Sequence, residues 1–165
     1  MPPSRWGGRR DGAGRPRSNE RVRSSEPHKT RPEFAASHAV LVTARVVDAM
    51  KRLDTARARD VIERAIDLSL ARDDFRIIHL GVRSTRLELI VEAADKLALA
   101  RGMQGFQVSA ARSLNRAARR TGRVFSDRYR ARVLASRPAL HAAIGRLPRG
   151  ARQRVGAPES PLFGV

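Results

Sequence analysis

Apolar and polar positions alternate with period two in three stretches of the chain. "SHAVLVTARV" (37–46) sets Val40, Val42, Ala44 and Val46 on one face and Leu41, Thr43 and Arg45 on the other. "FRIIHLGVRS" (75–84) alternates Ile78, Leu80 and Val82 with Ile77, His79, Gly81 and Arg83. "STRLELIVEA" (84–93) sends Leu87, Leu89 and Val91 one way and Arg86, Glu88, Ile90 and Glu92 the other. Each pattern predicts a strand with one face on a core. A tight turn at Ser84–Thr85 would join the last two, so that Arg83 faces Arg86, Gly81 faces Glu88 and His79 faces Ile90. That register puts Ile78, Leu80 and Val82 beside Leu87, Leu89 and Val91, and a slip of one residue would separate the two sets.

The rest of the ordered pattern is helical. Over 55–72, Val61, Ile62, Ala65, Ile66 and Leu68 form a stripe behind an expected Thr55 N-cap, and Asp60 and Arg64 are spaced for an exposed pair one turn apart. Residues 94–101 and 103–121 read as helices with a break at Gly102. Residues 122–135 read as a short strand or extended segment, and 137–146 as a last short helix stopped by Pro148. The order predicts an α+β fold, a ferredoxin-like βαββαβ antiparallel sheet with an additional C-terminal helix. The two long helices are expected on one sheet face. The other face is expected to be open and to carry Arg45, His79, Arg83, Arg86 and Glu88. Residues 1–33, rich in Gly, Pro, Ser and Arg, are expected to be a disordered basic arm, 34–147 the folded domain, and 148–165 a disordered tail.

Charge changes this picture more than length does. The 165 residues hold 34 Lys and Arg against 16 Asp and Glu, a formal net charge of +18, and the only lysines are Lys29, Lys51 and Lys96. Arginine offers a planar fork of donors suited to phosphate and base edges. The surplus therefore predicts a polyanionic partner, nucleic acid ahead of an acidic membrane. Between 101 and 154 there are fourteen arginines and one acid, Asp127, whereas a merely solvated face mixes its signs. At helical spacing Arg112, Arg116, Arg119 and Arg120 make a stripe, with Val108, Ala111, Leu114 and Ala118 towards another side. Arg123, Arg128, Arg130 and Arg132 follow, interleaved with Phe125 and Tyr129, so that a base could stack while the backbone is neutralised. The stripe lacks the large opposing apolar face of a membrane-surface helix. The chain has no cysteine, which excludes disulfides and thiolate metal sites and fits a reducing cytoplasm, the expected location. No apolar run approaches the ~20 residues of a membrane helix, and the N-terminus has no apolar core of a secretory signal. No heptad pattern selects an oligomeric state.

"FRIIHLGVRSTRLELIVEA", followed by "LARGMQGFQVSAARSLNRAARRTGRVFSDRYRARVL", resembles the REP-associated tyrosine transposases, the single-tyrosine HUH branch of transposases. The likeness runs from about Ser37 to about Arg149. Its most specific pieces are "RGMQGF", "SLNRAARRTGRVFSDRY" and the strand before residue 84. The resemblance implies enzymes that nick single-stranded DNA at the foot of a hairpin. Two histidines flanking one large apolar residue share a strand face and bind a divalent cation such as magnesium or manganese. A tyrosine on the final helix forms a covalent phosphotyrosine, and a polar residue one turn later completes the metal site.

On this chain the His-apolar-His triplet falls on Arg86-Leu87-Glu88, the tyrosine falls near Gly145 in "LHAAIGRLPRG", and the later polar position is Arg149. All three parts are substituted. The resemblance then implies a transposase-like DNA-binding protein that has lost strand cleavage and uses no metal. Its ligand would be single-stranded or hairpin DNA, held by Arg112, Arg116, Arg119, Arg120, Arg123, Arg128 and Arg130 with Phe125 or Tyr129 as stacking platform. Arg86 and Glu88 would mark a degenerate metal site, the guanidinium standing partly in place of the cation and Glu88 holding it. The plainer reading of that pair is an exposed same-face ion pair worth under about 1 kcal/mol. Two alternatives remain open on the sequence. One is an active single-strand endonuclease using Tyr129, with a cation on His79, Glu88 or His141, although two ligands of mixed type make a weak site. The other is a basic RNA-binding or ribosome-associated protein using the same arginines.

Overall fold

Three alternating stretches and one short one pair edge to edge in the computed structural model, which describes residues 33–34, 38–50, 52–67, 72–148 and 152–153. The strands are β1 (Ala39–Arg45), β2 (Phe75–Arg83), β3 (Arg86–Ala93), β4 (Arg130–Leu134) and the two-residue β5 (Arg152–Gln153). They form one sheet in the order β4-β1-β3-β2-β5, antiparallel at every pairing. Helices α1 (Ala56–Asp67), α2 (Lys96–Ala117) and α3 (Arg137–Arg146) follow β1, β3 and β4, and a 3₁₀ turn spans Asp48–Met50. This is the ferredoxin-like α+β arrangement with a C-terminal helix that the order of elements predicts.

One face of the sheet packs on α1 and α2. Val40, Val42, Ala44, Leu80, Val82, Leu87, Leu89 and Val91 meet Ile62, Ala65 and Ile66 of α1 and Leu99, Met103, Phe106, Ala110 and Leu114 of α2, all buried. The β2–β3 hairpin has the predicted register, with Arg83 opposite Arg86, Gly81 opposite Glu88 and His79 opposite Ile90. Beyond His79 the register shifts, and Ile77, not Ile78, lies opposite Val91 and joins the helix-side core. A bulge at Ile78 is the reason, since two residues then occupy one rung and the alternation changes phase. Strict period-two reading put Ile78 in that core.

The expected break at Gly102 does not occur, and α2 runs through it. The helix needs glycine there because the buried Phe75 ring lies against its backbone: a Cβ at 102 would stand 2.1 Å from Phe75 Cγ. Asp95 caps the start of α2 by accepting from the backbone N–H of Leu97 and Ala98, each at 2.7 Å. The helix ends four residues before the predicted 121. The Arg119 N–H donates to Arg116 O (3.2 Å) and the Arg120 N–H to Asn115 O (2.9 Å), with Arg119 in the left-handed region at φ 49°. This paired closure is a Schellman motif. Thr55 caps α1 as expected, accepting from Ala58 N at 3.3 Å, but Arg64 donates its Nε to the Asp60 carbonyl (3.2 Å), so the Asp60–Arg64 contact involves the backbone.

The second sheet face is not open throughout. Leu140 and Ala143 of α3 pack on Ala39, Ile90 and Leu134, with Leu41, Ala139, Ile144 and Leu147 around them. Leu41 and Ile90, apolar residues on the nominally polar face, are the reason for this third layer. After α3 the chain crosses Gly81, where a Cβ would lie 2.6 Å from Pro148 Cδ and 3.0 Å from Leu147 Cδ2. The expected tail starting at 148 contributes β5, which pairs through Arg152 and Gln153 with Leu80 and His79. Of the expected basic arm, 1–33, residues 1–32 lie outside the described residues, and Glu33 pairs with Lys96.

Candidate nucleic-acid interface

Across the face that α3 partly covers, the register lines up side chains in rows. Arg45, Arg86 and Arg83 are neighbours on β1, β3 and β2, and the next row is Thr43, Glu88 and Gly81. Arg130 and Arg132 of β4 lie opposite Thr43 and Leu41, which extends the same face to the sheet edge. The centre of this surface is a three-residue cluster. Arg83 Nε donates to Glu88 Oε2 at 2.9 Å and Arg86 Nε to Glu88 Oε1 at 2.8 Å. Arg83 also donates through Nη2 to the Arg146 carbonyl in the last turn of α3 at 2.9 Å. A cation at a helix C-terminus is favourably placed with respect to the helix dipole. The Glu88 side chain is 15% exposed, and each arginine side chain 39%.

The Arg86–Glu88 contact anticipated from the sequence is therefore present, with Arg83 as a third member that the site reading missed. Its signal was the predicted register itself, which put Arg83 beside Arg86. Gly145, where the resemblance puts a tyrosine, is in the last turn of α3 with open space around its Cβ position. The chain neighbour of Gly145, Arg146, bonds Arg83, so the position expected for a nucleophile and the Arg86–Glu88 pair belong to one neighbourhood. Arg149 lies outside the described residues. Among the described residues no three His, Asp or Glu side chains converge as metal ligands. His141 is exposed on α3. His79 is 5% exposed with no hydrogen-bond partner at Nε2, and burial holds its pKa below the ordinary histidine value. One rung beyond the bulge, Arg76 Nε donates to Glu92 Oε2 at 2.6 Å.

The arginines read as one stripe fall into separate places. Arg112 and Arg116 are exposed on the outer side of α2, facing away from the sheet. Val108, expected on another side, is 44% exposed and lines the same shallow trough as Arg112 and Arg116. Arg119 and Arg120 are beyond the end of α2, so they do not continue the helical spacing. Arg120 contacts the Met50 sulfur and donates to Arg123 O (3.0 Å), and Arg123 donates through Nε to Phe125 O (2.7 Å), so these two partly serve to shape the connection to β4. Arg128 and Arg130 are exposed at the sheet edge.

Tyr129 is 7% exposed and belongs to the helix-side core, and Phe125 is half-buried against that core with its backbone bridged to Val46. An aromatic platform or a nucleophile must present its ring or hydroxyl at the surface, and the core position withdraws Tyr129 from both roles. The alternation of Arg128, Tyr129 and Arg130 gave the clue: the middle residue of such a run points inward.

No family model matches the chain, and no curated protein matches it by sequence. Solved structures do match the fold. A REP-associated tyrosine transposase bound to a REP hairpin is similar with a TM-score of 0.58 at 10% identity, over 74% of this chain and 70% of that one. A Deinococcus radiodurans R1 protein assigned as a transposase is similar at TM-score 0.48 and 11% identity, over 74% of this chain and 93% of that one. The chain has a transposase-like fold. None of its described helices is long and apolar enough to cross a membrane.

Proposed function

We propose that this protein is a transposase-like DNA-binding protein that grips single-stranded or hairpin DNA without cutting it. The observation that carries this reading is the Arg83–Glu88–Arg86 cluster at the centre of the sheet face. Both Glu88 oxygens are engaged by guanidinium groups, so the carboxylate is not free to ligate a cation. The same two groups, with Arg45 beside them, fix positive charge where the resemblance expects a metal. Fixed guanidinium charge can hold phosphate oxygens, but it supplies neither a nucleophile nor a metal-activated one. Arg128, Arg130 and Arg132 at the sheet edge, with Arg119 and Arg123 in the connection between α2 and β4, would extend the phosphate grip. The likeness to a transposase bound to a hairpin supports DNA as the ligand.

Gel-shift titration of a DNA hairpin tests the binding. If six or more phosphates are contacted, affinity falls at least about a thousand-fold between ~50 and ~200 mM salt. A flat salt response, or stronger competition by a matched RNA hairpin, would overturn the DNA reading. Incubation of single-stranded and hairpin DNA with manganese should give no nicked product. Nicking that disappears in Tyr129→Phe would show that the chain is an enzyme.

A further inference from the structure

The outer side of α2 is a second basic surface, on the opposite side of the sheet from the Arg83–Glu88–Arg86 cluster. The 22 residues of α2 contain no carboxylate. Arg101, Arg112 and Arg116 are exposed along one line of it, and none of the three guanidinium groups has a hydrogen-bond or ion-pair partner among the described residues. Asp74, the acid close enough to feel the charge of Arg101, is already held by Arg72 through two bonds of 2.7 and 2.8 Å. The small residues Gly105, Ser109 and Ser113 lie between these arginines, in a shallow open trough lined entirely by α2.

The surface has the chemistry of a phosphate-backbone seat. Its arginines supply fork-like donors, its serines supply hydroxyl donors, and its floor lets a backbone approach closely. At a rise of 1.5 Å per residue, Arg101 to Arg116 spans roughly 22 Å, about the length of six to seven base pairs at 3.4 Å each. Val108 is the one large apolar side chain lining the trough, too little to insert into a lipid surface. We infer that the outer face of α2 binds the backbone of a second nucleic-acid segment, so that one molecule bridges two segments from opposite sides of its sheet. This inference rests on the preceding reading for the first segment, but the α2 site is tested separately.

A short DNA duplex is titrated against the full chain and against Arg101→Ala/Arg112→Ala/Arg116→Ala, and bridging is read as capture of labelled duplex by protein already held on an immobilised hairpin. With the sheet face occupied by the hairpin, the expected result is one captured duplex equivalent for the native chain and none for the triple variant. The triple variant should keep its hairpin affinity and lose duplex capture, and the log–log salt slope of duplex binding should fall by roughly three. Ser109→Asp, which sets an anion in the trough, should reproduce the loss if the triple variant folds poorly. Unchanged duplex stoichiometry in both variants overturns the inference. So does a parallel fall in hairpin and duplex binding, which would make α2 part of a single site. Binding to anionic phospholipid vesicles that the triple variant loses, with no duplex binding by the native chain, overturns it in favour of a membrane surface. If the native chain binds the duplex through α2 but not the hairpin, the inference stands and the hairpin reading fails.

Discussion

Two glycines three residues apart on α2 should respond to alanine in opposite directions. At Gly102 an added Cβ stands 2.1, 2.3 and 2.5 Å from Phe75 Cγ, Cδ1 and Cδ2, whereas ordinary contacts begin at 3.4 Å. The ring, or the helix, must give way by roughly the 1.3 Å difference. Phe75 is 2% exposed and belongs to the helix-side core. Overpacking of this kind costs about 1–3 kcal/mol, while replacing a helix-interior glycine returns about 1 kcal/mol. Because the clash is with a buried ring, the upper part of the overpacking range applies, and Gly102→Ala should lose about 1–2 kcal/mol net. At Gly105 an added Cβ meets nothing within 4 Å. Gly105→Ala should therefore gain about 1 kcal/mol from helix propensity alone. Urea denaturation at constant slope reads both shifts. A Phe75→Leu background should reduce the cost at 102, since the two sites are in contact and their effects do not add. Equal shifts at the two positions, or a Gly102→Ala protein as stable as the native one, would refute the proposed contact.

Other substitutions test other parts of the fold. Arg119→Gly relieves a left-handed backbone at φ 49° and should raise stability by about 1 kcal/mol, read as a higher urea midpoint. Asp95→Ala removes the acceptor for two backbone N–H groups at the start of α2 and should cost about 1 kcal/mol in the same assay. Burial lowers the His79 pKa, so below the unfolded value near 6.5 the unfolded chain takes up the proton first. The histidine's contribution to stability is whole above that pH and is lost as pH falls through the folded pKa. The urea midpoint should begin to drop as pH falls below about 6.5, and His79→Gln should drop less. An identical drop in both proteins would contradict this.

The period-two stretches made the sheet legible because half-buried strands must alternate, and the hairpin register followed from requiring both apolar sets to share one face. Ile78 escaped that logic, since a bulge leaves no mark in a run of apolar residues. Gly102 looked like a helix break because its tolerance inside the helix depends on Phe75, twenty-seven residues earlier in sequence and in contact only after folding. At the candidate site, Arg86 and Glu88 could be paired from strand geometry alone. The link from Arg83 to Arg146 O could not be read, because it depends on where α3 docks. The arginine stripe failed at Arg119 for a local reason: helical spacing persists in sequence after the Schellman closure has already turned the chain.

The extra rung-mate at Ile78 means that β2 has absorbed one surplus residue without exchanging inside for outside. Upstream, Phe75 and Ile77 still look towards the helices; downstream, Leu80 and Val82 do the same. A length change of one, ruinous in a strictly regular ribbon, is here confined to a single kink. Removing Ile78 would leave a plain strand with every remaining side chain on its present side, so this strand holds a reserve of length from which a shorter version could be cut.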